Sequence, residues 1–137
     1  MSNNKTLMNR FVQFINTADE KLAVELISQE AKFYVPGQSE PMRGPSGYLA
    51  IISMMRLGFS NIKWELKDLI AEGEKIAARF TMRGTHDGTF FNVPPTGITI
   101  DIQAINFYLF ENGKIIEEYG QPDLLSLLVQ IGAMPKA

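Results

Sequence analysis

The sequence predicts an α+β fold, with helices in the first part of the chain and mainly antiparallel strands in the second. Apolar residues recur at helical spacing up to about residue 58, and from about residue 61 they recur at every second position. The pair Asn112-Gly113 separates two alternating segments and is the strongest short signal for a β-hairpin. Helices followed by antiparallel strands are typical of the α+β class.

Three helices are predicted in the first part of the chain, before the long strands begin. The first is amphipathic and is expected to end near Asn16. Thr17 and Glu20 have the spacing of a capping box, which predicts the start of a second, short helix. The apolar residues assigned to that helix are Leu22, Leu26 and Ile27. Gly44-Pro45 predicts the start of a third helix, since proline suits the first helical position, and Gly58 predicts its end.

Five strands are predicted, and the first of them is a short one over residues 32–35. The apolar face of the first long strand is expected to consist of Ile62, Trp64, Leu66 and Ile70. After a turn at residues 72–74, the next strand presents Ala78, Phe80 and Met82 on one face. The third long strand runs from Ile98 to Phe110, and the hairpin connects it to the last strand, Ile115 to Tyr119.

A leucine-rich segment follows the last strand, and it predicts a terminal helix that begins at Pro122 and ends near Gly132. One face of the sheet must be buried, and the N-terminal helices are the elements able to cover it. Because strands of ten or more residues curl, the sheet is expected to form a strongly curved, conical barrel with an apolar interior. No internal repeat or linker divides residues 1–137, so we expect a single domain.

The composition argues against several classes of partner and mechanism. A net charge of -2 provides no positive electrostatic potential for binding nucleic acid or an anionic membrane. No segment approaches the ~18 apolar residues of a membrane span, and we expect a cytoplasmic protein. Without cysteine there is no thiolate site, and one histidine cannot assemble a zinc site, so no metal is expected. The sequence has neither a phosphate-binding glycine loop nor a serine nucleophile elbow.

Two titratable residues stand out as candidates for catalysis. Asp123 follows Pro122 at a helix start, where a carboxylate is favoured whatever its chemistry. Burial would raise its pKa and the helix N-terminus would lower it, and the sequence leaves the outcome open. His86 lies an even number of residues after Phe80 and Met82, so its ring is expected on the same apolar face of the strand. It would be either a core residue or a partner of Asp123. Glu117 and Glu118 point to opposite faces, so at most one enters a pocket, which argues against glycosidase chemistry.

Most aromatic and methionine side chains are expected in the core, while a subset lines an internal cavity. The candidates for contact with a substrate, chosen from apolar strand faces and from polar residues near the strand ends, are Tyr34, Trp64, Phe80, Met82, Asn106, Tyr119 and Gln121.

Five short motifs follow one another along the second half of the chain. The motifs are Gly84 to Phe90, Pro94 to Gly97, Asn112 to Glu118, Asp123, and Gln130 to Gly132. Together they resemble the SnoaL-like polyketide cyclases, or ester cyclases, of the nuclear transport factor 2-like superfamily. The resemblance implies a conical α+β barrel with a deep apolar pocket, and frequently a homodimer. It also implies that Asp123 is both acid and base in an intramolecular aldol ring closure, without metal or cofactor.

The sequence departs from this family pattern at three positions. Tyr34 replaces a histidine, Leu109 an arginine and Tyr119 a tryptophan. The leading hypothesis is an acid/base enzyme for a small or medium apolar carbonyl compound. A non-catalytic ligand-binding or dimeric scaffold module is the first alternative, and exposure of Asp123 away from any cavity would favour it. A double-bond isomerase similar to ketosteroid isomerase is the second, with Tyr34 or Tyr119 donating to an enolate oxygen.

Overall fold

The computed structural model describes residues 3–135 of the chain, which contain four helices and six strands. In chain order the elements are α1 (Asn3–Thr17), α2 (Glu20–Leu26), β1 (Ile27–Tyr34), β2 (Met42–Arg43), α3 (Gly44–Gly58), β3 (Lys63–Glu72), β4 (Lys75–Thr85), β5 (Thr99–Glu111), β6 (Lys114–Tyr119) and α4 (Leu124–Gln130).

The strands form one curved sheet in the order β2-β1-β6-β5-β4-β3. All neighbouring strands are antiparallel except β1 and β6, which are parallel. The structure therefore confirms the predicted α+β class and the mainly antiparallel sheet. Asn112 and Gly113 both have positive φ, of 53° and 78°, and they form the tight turn of the β5–β6 hairpin.

The helices cover one face of the sheet, and an aromatic cluster fixes them there. α1 contacts β3, α3 contacts β1, and α4 contacts β5. The ring of Phe11 on α1 meets the ring of Tyr48 on α3 edge-on at a centroid distance of 5.2 Å, and that of Tyr108 on β5 at 5.6 Å. Such edge-to-face contacts add to the burial of the rings and hold α1 and α3 over β5. Between residues 3 and 135 no helix has the length and apolar character needed to cross a membrane.

The second helix differs from the sequence prediction at both ends. Its N-cap is Asp19 and not Thr17, since the Asp19 carboxylate accepts the N–H groups of Lys21 at 2.8 Å and Leu22 at 3.3 Å. The Thr17 hydroxyl donates instead to the last turn of α1. Ile27 belongs to β1 and is fully buried, so this strand is longer than predicted. β2 was not predicted, because two residues are too few to show a period.

A bulge in β3 changes which residues face the core. Trp64 and Leu66 point inward as predicted, but the prediction for Ile70 is wrong, because its side chain is 71% exposed. The pairing of β3 with β4 shifts between Leu66 and Asp68. The extra residue reverses the alternation, so that Leu69 turns inward and Ile70 outward.

The terminal helix begins two residues later than predicted. Pro122 forms an isolated bridge with Ala104 of β5, and Asp123 is the N-cap of α4. Gly132 ends the helix as predicted, with a φ of 81° that an L-residue rarely adopts. The bridge carries the chain from the end of β6 back across the sheet and positions α4 against β5.

Candidate active site

A cavity of about 260 Å³ lies between the helices and the inner face of the sheet. α3 contributes Ile51, Ile52 and Met55 to its wall, and the sheet contributes Phe33, Trp64 and Met82. Most of the wall is hydrocarbon, and the few polar side chains come from β5, β6, Tyr48 of α3 and Gln38 after β1. The cavity is therefore suited to an apolar ligand that carries a small number of polar atoms.

The exposed residues in the cavity wall mark its opening to solvent. These residues are Gly37 and Gln38 after β1, Met54 on α3, and Phe91 in the loop between β4 and β5. The Phe91 side chain is 50% exposed and stacks on Phe90 at a ring distance of 4.5 Å. Two loops and one turn of α3 thus surround the opening with mainly apolar groups.

His86 closes the base of the loop that carries Phe90 and Phe91. Its N–H donates to the carbonyl of Ile98 at 2.8 Å, and its carbonyl accepts the N–H of Gly97 at 2.8 Å. The ring Nδ1 accepts the N–H of Thr96 at 3.3 Å, so the neutral ring carries its proton on Nε2, which has no hydrogen-bond partner between residues 3 and 135. His86 is fully buried, as predicted, but it does not contribute to the cavity wall.

The same loop is also anchored to the C-terminal end of α3. The N–H groups of Asp87 and Gly88 both donate to the carbonyl of Gly58 at 3.1 Å. The Asp87 carboxylate accepts the hydroxyl and the N–H of Ser60, and these bonds lower the pKa of Asp87. A Cβ atom on Gly88 would lie 1.8 Å from the carbonyl oxygen of Leu57, so only glycine permits this approach.

Glu118 is the one ionisable carboxylic acid in the cavity wall among the described residues, and it is 5% exposed. Burial raises its pKa from 4.5 to about 7, although the hydroxyls of Tyr48 and Tyr108 partly oppose this rise. Neither hydroxyl makes a hydrogen bond of regular geometry with the carboxyl group, and Oε1 has no partner within the described residues. Burial, followed by the charge of Glu118, raises the pKa of both tyrosines, which keeps them protonated.

A bulge in β6 turns Glu118 toward the cavity. Ile115 and Glu118 are both buried although they are three residues apart, which strict alternation does not allow. The pairing with β5 shifts between Leu109 and Phe110, and Ile116 is the extra residue. Sequence analysis missed Glu118 because alternation counted from Ile115 places Glu117 inside instead.

A chain of hydrogen bonds leads from the backbone to the hydroxyl beside Glu118. The Gln121 N–H donates to Asn106 Oδ1 at 2.9 Å, and Asn106 Nδ2 donates to the Tyr108 hydroxyl at 3.1 Å. A backbone N–H can only donate, so this bond fixes the orientation of the Asn106 amide. Gly120 leaves space at the same place, since a Cβ there would lie 3.5 Å from Glu118 Oε2.

Three of the predicted substrate-binding residues lie in the cavity wall, namely Trp64, Met82 and Asn106. The other four, Phe80, Tyr34, Tyr119 and Gln121, do not contribute to it. The rings of Tyr34 and Tyr119 stack at 4.9 Å, and the Tyr119 hydroxyl donates to Glu117 at 3.2 Å. The substrate-binding roles assigned to these two tyrosines stay predictions.

Asp123 lies beside the cavity without entering its wall. Its neighbours Pro122 and Leu124 line the cavity, whereas the Asp123 side chain is exposed. Its carboxylate accepts the Ser126 N–H at 3.0 Å and caps α4. His86 and Asp123 are therefore not brought together in the cavity wall, and the catalytic roles assigned to them stay predictions.

Comparison with known proteins is consistent with this architecture. The sequence profile of the SnoaL-like polyketide cyclases matches residues 5–131. Two relatives are named as aklanonic acid methyl ester cyclases: DnrD of Streptomyces peucetius and DauD of Streptomyces sp. (strain C5). Each is 28% identical to this chain over 137 residues, and the match covers 96% of this chain. The match covers 92% of DnrD and 83% of DauD.

Two solved structures have the same fold over nearly the whole chain. Wild-type IdmH from Streptomyces antibioticus superposes with a TM-score of 0.86 at 25% identity, covering 96% of this chain and 99% of IdmH. TsrD from Streptomyces laurentii superposes with a TM-score of 0.84 at 26% identity, covering 98% of this chain and 99% of TsrD. With the family profile matched from residue 5 to residue 131, the chain belongs to the SnoaL-like polyketide cyclase family.

Proposed function

We propose that the protein is a cyclase that closes a carbon ring in an apolar, polyketide-like carbonyl compound by intramolecular aldol chemistry, without metal or cofactor. Family membership and the two relatives named as ester cyclases support a cyclase role. The observation that carries the proposal is the cavity, whose wall is mostly hydrocarbon but contains a buried carboxyl group beside two phenols. Such a wall binds an apolar substrate and supplies a proton carrier at one place.

The reaction requires one proton to be removed and one to be returned. A base takes a proton from a carbon between two carbonyl groups, and the electron pair forms an enolate. This carbon attacks a second carbonyl of the same molecule, and the resulting alkoxide takes up the proton. A positioned side chain contributes roughly 10²–10⁴-fold to such transfers. Confinement in a cavity contributes further, because it holds the substrate in a folded conformation.

Two carboxyl groups are candidates for the proton carrier. The family resemblance implies Asp123, which lies between two residues of the cavity wall but is itself exposed. Glu118 lies within the wall.

A binding module that performs no chemistry is the second candidate function. The exposure of Asp123 favours it, because the acid implied by the resemblance does not enter the cavity. The two functions differ in whether a bound ligand is converted.

The test uses aklanonic acid methyl ester, the compound in the names of two relatives. An aldol closure conserves mass, so we expect an isomer with a new chromatographic retention time. Binding is followed separately by fluorescence of Trp64, the single tryptophan of the chain, which lies in the cavity wall. Binding without conversion would contradict the cyclase proposal and support the binding module.

A pair of variants shows whether the reaction takes place in the cavity. Ala104→Met adds a longer side chain to the cavity wall, and we expect turnover to fall at least ~10-fold because the substrate loses space. Ala50→Met makes the same change at an exposed position of α3 and should leave turnover unchanged. Equal activity of the two variants would place the reaction outside the cavity.

A further inference from the structure

The position of Glu118 relative to the cavity distinguishes it from Asp123. A general base must come within hydrogen-bond distance of the proton that it removes. A ligand in the cavity contacts the wall, and the carboxyl group of Glu118 is part of that wall. The carboxylate of Asp123 is exposed, and one of its oxygens already accepts the Ser126 N–H. Asp123 thus caps α4 and does not belong to the wall that a ligand in the cavity contacts.

The surroundings of Glu118 leave it without a permanent partner. Among the described residues that form the cavity wall there is no lysine, arginine or histidine, so no cation holds the carboxyl group in its charged form. Oε1 is buried and accepts no hydrogen bond from the part of the chain that the structure describes. A buried acceptor without a partner is unfavourable, because it has lost its hydrogen bonds to water. A proton, or a hydroxyl or acidic C–H group of a bound substrate, would satisfy it.

Tyr108 lies directly opposite Glu118 in the pairing of β5 with β6. The Tyr108 oxygen accepts a hydrogen bond from Asn106, so its own proton points elsewhere. Tyr48 approaches the same carboxyl group from α3. Two phenolic donors thus flank the place where a negative charge would develop on Glu118, and Tyr48, which lines the cavity, would also face an adjacent enolate oxygen.

We propose that Glu118 is the acid/base residue of this cavity and that Tyr108 and Tyr48 are the donors that stabilise the charge as the proton moves. The Glu118 carboxylate takes the proton from the carbon between two carbonyls, and the C–H electron pair becomes the enolate. After the carbon–carbon bond forms, the Glu118 carboxylic acid returns the proton to the new alkoxide, and the carboxylate is restored. The ring-closing step of this inference rests on the proposed function, whereas the proton transfer by Glu118 does not depend on it.

The arrangement also provides space for the reacting carbon. Gly120 and Ala104 are the smallest residues in the cavity wall near β5 and β6. A side chain at position 120 would come into van der Waals contact with Glu118 Oε2 and with the Tyr34 carbonyl. The absence of one leaves the carboxyl group accessible from the cavity.

The experiment compares Glu118→Gln with the matched control Glu117→Gln, which makes the same change at the adjacent residue on the other face of β6. Asp123→Asn tests the competing assignment, since asparagine also caps helices but cannot carry the proton. Each protein is assayed for cyclisation of aklanonic acid methyl ester. Each is also assayed for deuterium exchange of the α-protons of 2-tetralone, an apolar bicyclic ketone, in D₂O.

We expect Glu118→Gln to lose at least ~100-fold in both assays, with ester binding retained, and Glu117→Gln to match the wild type. Far-ultraviolet circular dichroism shows whether each variant is folded. Glu118→Asp keeps a carboxylic acid on a shorter side chain and should retain part of the deuterium exchange. Full activity of Glu118→Gln in either assay, or a loss confined to Asp123→Asn, would overturn the assignment. Exchange without cyclisation in the wild type would overturn the proposed function alone, and absence of both reactions would overturn both.

Discussion

The burial of Glu118 makes its charge unfavourable in the folded protein, and this sets a pH dependence of stability. The unfolded chain ionises this carboxyl near 4.5, whereas burial raises the pKa in the folded protein to about 7. Between these values the folded protein holds a proton that the unfolded chain has lost. Stability from this residue is therefore fully present below about pH 4.5, falls as the pH rises, and is lost above about pH 7. Since one pKa unit corresponds to ~1.4 kcal/mol, the loss amounts to about 3–4 kcal/mol.

Glu118→Gln should remove this dependence. We expect the free energy of unfolding of the wild type to fall by about 3–4 kcal/mol between roughly pH 4.5 and pH 8 through this group, and that of the variant to lack this decline. Urea denaturation at several pH values measures the difference, with Glu117→Gln as the control that keeps the wild-type slope. Parallel pH profiles of Glu118→Gln and the wild type would show that Glu118 ionises normally.

The candidate site could be predicted only where the strands alternate regularly. Met82 and Asn106 lie in the cavity wall because β4 and β5 keep their period along the whole pairing. Glu118 could not be identified in this way, because one inserted residue in β6 reverses which side chains face the cavity from that point onward. No feature of the segment's sequence marks the insertion. Asp123 shows the opposite case, in which a clear helix-start signal is explained by capping alone.

At the scale of elements, α4 depends on its N-cap. Asp123→Ala should destabilise the protein by about 1 kcal/mol, because the Ser126 N–H loses its acceptor. Asp123→Ser retains a capping oxygen and should remain close to the wild type. Thermal unfolding measures both variants, and an alanine variant as stable as the wild type would mean that water replaces the cap without loss.

Helix boundaries and strand identities were predictable where the chain carries strong local signals. Gly44-Pro45 and Gly58 bound α3, and Asn112-Gly113 forms the hairpin turn. The prediction for Ile70 was wrong because of a bulge in β3, just as a bulge in β6 concealed the inward position of Glu118. Such bulges arise from the pairing of strands distant in sequence, and local patterns do not contain that information.

At the scale of the whole molecule, the outer face of the sheet carries exposed apolar side chains. Ile70, Phe107 and Tyr119 lie in one row across β3, β5 and β6, because successive strand pairings join them through Ala77. Ile105 lies beside this row and is 60% exposed. Contiguous exposed apolar surface marks interaction sites. We propose that a second copy of the chain covers this face, in agreement with the homodimer that the family resemblance implies.

Charged substitutions in the row test this proposal. Ile105→Glu and Phe107→Glu should each convert a dimer into a monomer, because association would bury an unpaired carboxylate. Val24→Glu introduces the same charge on the exposed side of α2 and should leave the mass unchanged. Light scattering during size-exclusion chromatography measures the mass. A wild type that is already monomeric, or a Phe107→Glu variant that stays dimeric, would rule out this interface.

The parallel pairing of β1 with β6 joins segments from opposite ends of the chain. During synthesis on the ribosome, β1 emerges long before its partner, and the apolar residues of the three N-terminal helices have no complete sheet to cover. Contacts between residues so distant in sequence slow folding, since a large loop must be closed first. We therefore expect β1 and β2 to join the β3–β6 part of the sheet late in folding, and the site around Glu118 to be assembled only when nearly the whole polypeptide has been made.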